Sequence, residues 1–256
     1  MLDLLMVFIF GLLWGSFANV VIYRWPKGES FVLGRSQCPN CSKVIAWWQN
    51  IPVFSFLFLR GKCFYCSSKI SFKYPFVELL MGSLFALIFY RFGWSWITLE
   101  YLIFGFGLVV VSFIDLEHLL LPDLFTLSGI AIGLAGAYFN PDRSFVDAIL
   151  GVLVGGGLLW SVAVIYFYLR KREGMGGGDI KLLAWIGAIL GLSSIPVVVL
   201  FASLWGSFFG LAVNLRHRKG AQAVIPFGPY LALGALFYMF FGEVAVDWYL
   251  SSLLPR

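Results

Sequence analysis

Charge is what this sequence most lacks. Only 12% of its 256 residues are Asp, Glu, Lys or Arg, while 61% are hydrophobic. Soluble domains carry about 25% charged residues, so a soluble globular chain is excluded. Polar and apolar residues do not alternate within the hydrophobic runs. That excludes a membrane barrel, whose strands alternate. No basic segment precedes the first apolar run; Arg24 and Lys27 follow it. A cleaved secretory signal has the opposite order. Convincing internal repeats are lacking as well.

What is present is a series of continuous apolar runs, most of them long enough to cross a hydrocarbon core of about 30 Å. The expected fold is an all-α polytopic membrane protein. Eight spans are read, at roughly 2–23, 75–91, 96–114, 124–139, 145–169, 180–193, 195–215 and 226–242. The sixth is short enough to be re-entrant or tilted. A further apolar run, Ile51 to Leu59, is too short to cross and is expected at the interface. The piece from Val244 to Leu254 either extends the last helix or lies on the surface.

Charge distribution sets the expected orientation. With the N-terminus outside, all of the 18 Lys and Arg except Arg91, Arg143 and Arg256 fall on the cytoplasmic side. The basic residues so placed include Arg170, Lys171, Arg172, Lys181, Arg216, Arg218 and Lys219. The opposite orientation inverts this bias, which the positive-inside rule forbids. The net charge of +5 is therefore topological rather than a nucleic-acid footprint. Trp25, Trp94, Trp96 and Trp248 near span ends fit interfacial anchors.

The longest loop, 24–74, holds all four cysteines as Cys38-Pro-Asn-Cys41 and Cys63-Phe-Tyr-Cys66. Each Cys-x-x-Cys can point two thiolates at one ion, and two such knuckles close a tetrahedral site. The expected cytoplasmic side is reducing, so disulfides are disfavoured. The reading is a structural zinc site in a small zinc-ribbon-like domain. The bland alternative is two redox pairs or reduced knuckle turns. Expected organisation is therefore a first helix, 1–23, a four-cysteine zinc-binding loop domain, 24–74, and a membrane core, 75–256.

Two aspartates stand out against the shortage of charge. Asp115 ends the third span and Asp179 opens the sixth, 64 positions later. The expected topology puts both on the cytoplasmic face. Carboxylates at a bilayer boundary are costly and mark function by default. Two together can share a proton and activate a water. Asp115 also opposes the dipole at a helix C-terminus. The stretch Asp115 to Asp123 contains Glu117 and His118 as well, with no Lys or Arg among them. Asp123, after Pro122, has a simpler reading as a helix N-cap. Glu117 and His118 have a simpler reading as solvated groups. Asp179 could also be an N-cap behind a flexible glycine linker. Gly174 to Asp179 is no phosphate loop, since no Lys-Ser/Thr follows in register, and no βαβ unit surrounds it. Glycines there permit close backbone approach. Glu78, near the start of the second span, either supports the site or snorkels to the interface. The small-residue runs Gly151 to Gly157 and Gly187 to Gly191 indicate close helix packing.

These stretches together resemble the type IV prepilin peptidases. The resemblance is carried by Gly15 to Arg24, Cys38-Pro39-Asn40-Cys41, Trp48 to Pro52, Leu59 to Cys63, Tyr74 to Leu80, Asp115 to Asp123, and Gly176 to Leu183. It covers nearly the whole chain, with no departure at the aspartates or cysteines. It implies that Asp115 and Asp179 are the catalytic pair of a Gly-x-Gly-Asp intramembrane aspartyl protease. Gly176, Gly178, Lys181, Asp123 and Glu78 become supporting residues; Cys38, Cys41, Cys63 and Cys66 are the metal ligands. It further implies a multi-pass protein of the bacterial inner membrane. Its substrates are prepilins or type II secretion pseudopilins, cleaved after a glycine at the cytoplasmic face. S-adenosylmethionine is the implied donor for methylating the new N-terminus. No soluble Rossmann domain exists to hold that donor; the loop and basic residues such as Lys181 are candidates. The rival class is a zinc-stapled transporter or channel that uses Asp115, Asp123 and Asp179 as an ion or proton path. Its carboxylates belong nearer the midplane. An inactive scaffold in pilus assembly gains nothing from an intact pair.

Overall fold

The computed structural model describes residues 1–140, 143–172, 174–217 and 226–253. Arg218, Lys219, Leu254 and Arg256 lie outside the described residues, as do the side chains of Arg216 and Trp248. Among the described residues the regular structure is helical: α1 (Leu2–Arg24), α2 (Phe54–Phe58), α3 (Lys73–Phe92), α4 (Trp96–His118), α5 (Asp123–Phe139), α6 (Phe145–Arg170), α7 (Gly177–Leu190), α8 (Ser194–His217) and α9 (Gly228–Leu253). Every expected span is a helix. Val244 onward continues α9 rather than forming a separate surface piece.

Among the described residues, five helices are long and apolar enough to cross a membrane: Leu2–Lys27, α3, α4, α6 and Ser194–Ala212. Their outward faces are apolar, as lipid contact requires. On α6, for example, Leu153, Trp160, Val162 and Ile165 are exposed. The short apolar run Ile51 to Leu59 contains α2, whose Phe54, Leu57 and Phe58 are exposed.

The chain forms two compact units, Met1–Val110 and Val111–Arg256. In the first, α1 and α3 pack closely through small residues at Gly11, Gly15 and Gly82. The Asn19 amide donates to the Tyr74 carbonyl at 3.0 Å. Glu78 Oε2 accepts the Val53 N–H at 2.7 Å, tying α3 to the loop before it. Arg24, at the end of α1, donates to the carbonyls of Ser30, Leu33 and Arg35 and so shapes the start of that loop.

In the second unit α7 is the enclosed element. Its 14 residues span about 21 Å, less than a bilayer core of about 30 Å. It packs against α5, α6, α8 and α9, and Leu182 through Ile189 are all buried. From Leu182 to Ile189 its sequence is accordingly apolar around the whole circumference, as a fully surrounded helix must be. Gly151 of α6 faces Gly187 of α7 so closely that a Cβ on either meets the other's backbone. At the far end Arg143 donates to the Ala188 carbonyl at 2.6 Å, and Asp147 accepts the Leu192 N–H at 3.3 Å. These contacts fix α7 along its length, and with it the residue at its opposite end, Asp179.

Candidate active site and thiol cluster

Asp115 lies in the last turn of α4 and Asp179 in the first turn of α7. Both are buried, with 5% and 9% of their surface exposed, and Asp179 lies within electrostatic reach of Asp115. The fold thus joins the two acids across 64 positions of sequence. One oxygen of Asp115, Oδ2, accepts the Gly228 N–H at 3.0 Å. Among the described residues, Oδ1 of Asp179 is buried with no hydrogen-bond partner. Such an orphan is costly.

The N-cap readings of Asp123 and Asp179 are corrected. A cap residue has extended backbone just outside the helix. Gly176 takes that place for α7, at φ −72° and ψ 145°. Asp179 is the third residue inside. Pro122 takes it for α5, at φ −65° and ψ 127°. Asp123, one residue inside, instead meets Lys181 Nζ at 2.6 Å. That pair joins the first turns of α5 and α7. Glu117 and His118 are exposed, in keeping with the solvated reading. Glu78 belongs to the first compact unit, where it binds the Val53 amide.

Two residues at this site escaped sequence reading: Leu121 and Gly228. A Cβ added at Gly178 would lie 2.7 Å from Leu121 Cβ. A Cβ at Gly228 would lie 3.1 Å from Leu121 Cδ2 and 2.8 Å from Asp115 Oδ2. Leu121 therefore fills the gap between the starts of α7 and α9, and its Cβ leaves no room for a side chain at Gly178. The available signal for Gly228 was its place in Pro226-Phe227-Gly228-Pro229, a break that opens the last apolar run.

The cysteines form a second centre, within the first unit. Their four sulfurs lie within 4.8 Å of one another, with Cys38 Sγ and Cys66 Sγ 3.9 Å apart, and no disulfide joins them. The structure corrects the absence of repeats here. Residues 36–45 and 61–70 are one knuckle used twice. In each, the first Cys N–H bonds a carbonyl five residues on, Cys38 to Lys43 and Cys63 to Ser68. Ile45 and Ile70 bond back to Ser36 and Gly61. Ser42 and Ser67 share a left-handed φ of 56°. Burial opposes the Cys38 thiolate, but the N–H groups of Cys41 and Asn40 outweigh it and draw that thiol down to about 6. The Lys43 N–H favours the Cys41 thiolate, yet burial and the neighbouring thiols prevail and push it up to about 11. The Ser68 hydroxyl lowers Cys66. Four such thiols cannot all ionise unaided; a metal ion removes that penalty. The cluster can hold one ion.

Buried paired carboxylates on a helical membrane scaffold define a candidate intramembrane aspartyl hydrolase. Known proteins resemble the chain along nearly its whole length. The model of the bacterial peptidase A24 N-terminal domain matches residues 9–92, and that of the type IV leader peptidase family matches 102–211. The chain is 41% identical to a prepilin leader peptidase/N-methyltransferase of Neisseria gonorrhoeae, over 95% of this chain and 93% of that one. It is 37% identical to one of Aeromonas hydrophila, over 97% and 94%. It is 36% identical to one of Pseudomonas aeruginosa, over 95% and 92%. The chain belongs to the type IV leader peptidase family. Nothing among these relatives supports a transporter or channel. No solved structure matches the chain significantly.

Proposed function

We propose that this chain is a membrane-embedded aspartyl endopeptidase. It removes the basic leader of type IV prepilins or type II secretion pseudopilins, cutting after a glycine. It then methylates the exposed N-terminus with S-adenosylmethionine as donor. The observation that carries the peptidase reading is the buried meeting of Asp115 and Asp179, one of them with an unpartnered oxygen. The methylation reading is supported by the relatives, which are prepilin leader peptidase/N-methyltransferases.

Like charges this close resist double ionisation, so the pair holds one proton. The ionised carboxylate takes a proton from a water, whose oxygen attacks the scissile carbonyl carbon. The other carboxyl gives its proton to the carbonyl oxygen. The first then protonates the leaving amine, the C–N bond breaks, and the carbonyl reforms as its proton returns to the second. A leader followed by an apolar helix suits this site, because the helix can lie among the spans.

The excess of basic residues in loop 24–74 supports a cytoplasmic position for that loop, and for the ends of α4 and α7 that carry the acids, at the inner membrane. The metal is zinc in a structural role. Zinc–thiolate bonds of about 2.3 Å put tetrahedral sulfurs about 3.8 Å apart, close to the 3.9 Å between Cys38 and Cys66. The deciding experiment incubates the purified protein with a prepilin. A product shortened at the glycine is expected from wild type, and an uncut prepilin would overturn the reading.

A further inference from the structure

We infer that Gly228 is a positioning residue of the acid pair: its backbone N–H, at the start of α9, holds Asp115 as the proton acceptor and leaves the shared proton on Asp179. The inference rests on the peptidase reading and deepens it, because two identical side chains acquire different roles.

An amide N–H can only donate. The oxygen it meets, Asp115 Oδ2 at 3.0 Å, accepts best when the carboxyl is ionised. Gly228 is the first residue of a 26-residue helix, so its N–H is one of the orphans at a helix start and carries that end's partial positive charge. This offsets the C-terminal end of α4, which opposes a charge on Asp115. Asp179 has no equivalent donor on Oδ1, although it too sits in a first helical turn. A buried carboxylate oxygen left without a hydrogen bond is costly, and protonating the group lowers that cost. In this assignment Asp179 is the acid that donates to the scissile carbonyl oxygen. Asp115, held ionised through Oδ2, is the base that takes the proton of the attacking water. Gly228 is also the residue the geometry demands, since a Cβ there would lie 2.8 Å from Asp115 Oδ2. Pro229 follows without an N–H of its own, and the Phe227 carbonyl accepts from Tyr230 and Leu231 to start the helix.

The proton bookkeeping then has a direction. Water gives its proton to Asp115 as its oxygen bonds the carbonyl carbon. Asp179 gives its proton to the carbonyl oxygen. Asp115 passes the water proton to the departing amine nitrogen, and the hydroxyl proton returns to Asp179 as the carbonyl closes. One water is consumed and the pair is restored.

Two measurements test this on the full-length protein in nanodiscs. Replacing residue 228 by glycolic acid turns the amide into an ester, which deletes the donor and adds no bulk. The expected result is a kcat lowered by about 10- to 100-fold, the effect of losing one hydrogen bond to a charged group, with KM unchanged. An unaltered kcat overturns the inference. Infrared difference spectra near neutral pH locate the proton independently. The protonated-carboxyl band is expected to vanish in Asp179→Asn and to persist in Asp115→Asn; the reverse pattern overturns the assignment. Retained cleavage in both Asp variants would instead sink the peptidase reading itself, so the two failures are distinguishable.

Discussion

Lys181 Nζ sits 2.6 Å from Asp123 Oδ1 and so ties the first turn of α7 to the first turn of α5. Lys181 is two residues beyond Asp179, so the pair braces the very turn that carries the orphaned acid. Both side chains are substantially exposed, at 37% and 57%. An exposed pair contributes at most about 1 kcal/mol. Asp123→Asn and Lys181→Gln are therefore expected to lower cleavage by less than about fivefold, within what that energy allows. The double exchange Asp123→Lys with Lys181→Asp is expected to recover most of the loss. High salt should weaken wild type more than either single variant. A complete loss of cleavage in Asp123→Asn would give that residue a chemical role.

Asp115 and Asp179 present the opposite case. Each is buried, and among the described residues neither has an ion-pairing cation. Asp115→Asn and Asp179→Asn keep the shape and remove the acid–base function. Each is expected to lower prepilin cleavage by about 10³-fold or more, near the full effect of a general acid or base. Membrane insertion and melting temperature should stay near wild type. Cleavage by either variant at a rate close to wild type would remove that residue from the pair.

Much of this was legible because bilayers make charge expensive. Asp115 and Asp179 were conspicuous in a chain with so few ionisable groups, and the Cys-x-x-Cys pairs announced their own geometry. Helix positions followed from continuous apolar runs. Three features were not legible. Asp123 looked like a cap because Pro122 hides a helix start one residue earlier. Gly228 contributes a backbone N–H, which no side-chain pattern reports. The doubled knuckle was hidden because its repeat lies in hydrogen bonds and in a left-handed serine. Only the cysteines, the serines after them and two isoleucines match in sequence.

The α6–α7 crossing allows no bulk. Gly151 and Gly187 touch through backbone, and α7 has no lipid-facing side into which to move. Gly187→Leu is expected to destabilise the protein by about 1–3 kcal/mol or more, the range for overpacking. It should also reduce cleavage, because displacement of α7 carries Asp179 with it. Gly157, with nothing within 4 Å of an added Cβ, is the control. Gly157→Ala is expected to leave the melting temperature and the rate unchanged. Equal tolerance at both positions would mean that α6 and α7 do not cross this way.

Cleavage and methyl transfer need different groups. The first needs the acid pair, the second an uncharged amine aligned with the donor methyl. Cleavage is therefore expected to proceed at full rate without S-adenosylmethionine. Asp115→Asn should still methylate a pilin supplied already trimmed. Mass spectrometry of the N-terminal peptide reads both results. A trimmed product that never gains a methyl group at saturating donor would make the chain a peptidase alone.

Zinc should bind at one equivalent per chain and vanish when Cys38 and Cys41, or Cys63 and Cys66, become serine. Its affinity should depend on pH with a definite sign. With Cys38 drawn down to about 6 and Cys41 pushed up to about 11, the metal-free cluster between those values keeps the Cys41 proton. An incoming ion must expel it. Affinity is then expected to rise with pH, about tenfold per pH unit for each proton expelled. Below Cys38's value a further proton competes, so the metal should be lost more steeply in acid. Competition against a chelator across a pH series measures the slope, and an indicator dye counts the protons released. A flat affinity across that window would mean that these four thiols are not the ligands. Because the acids lie on other elements, the metal-free protein is expected to lose folded structure in loop 24–74 before it loses the acid pair.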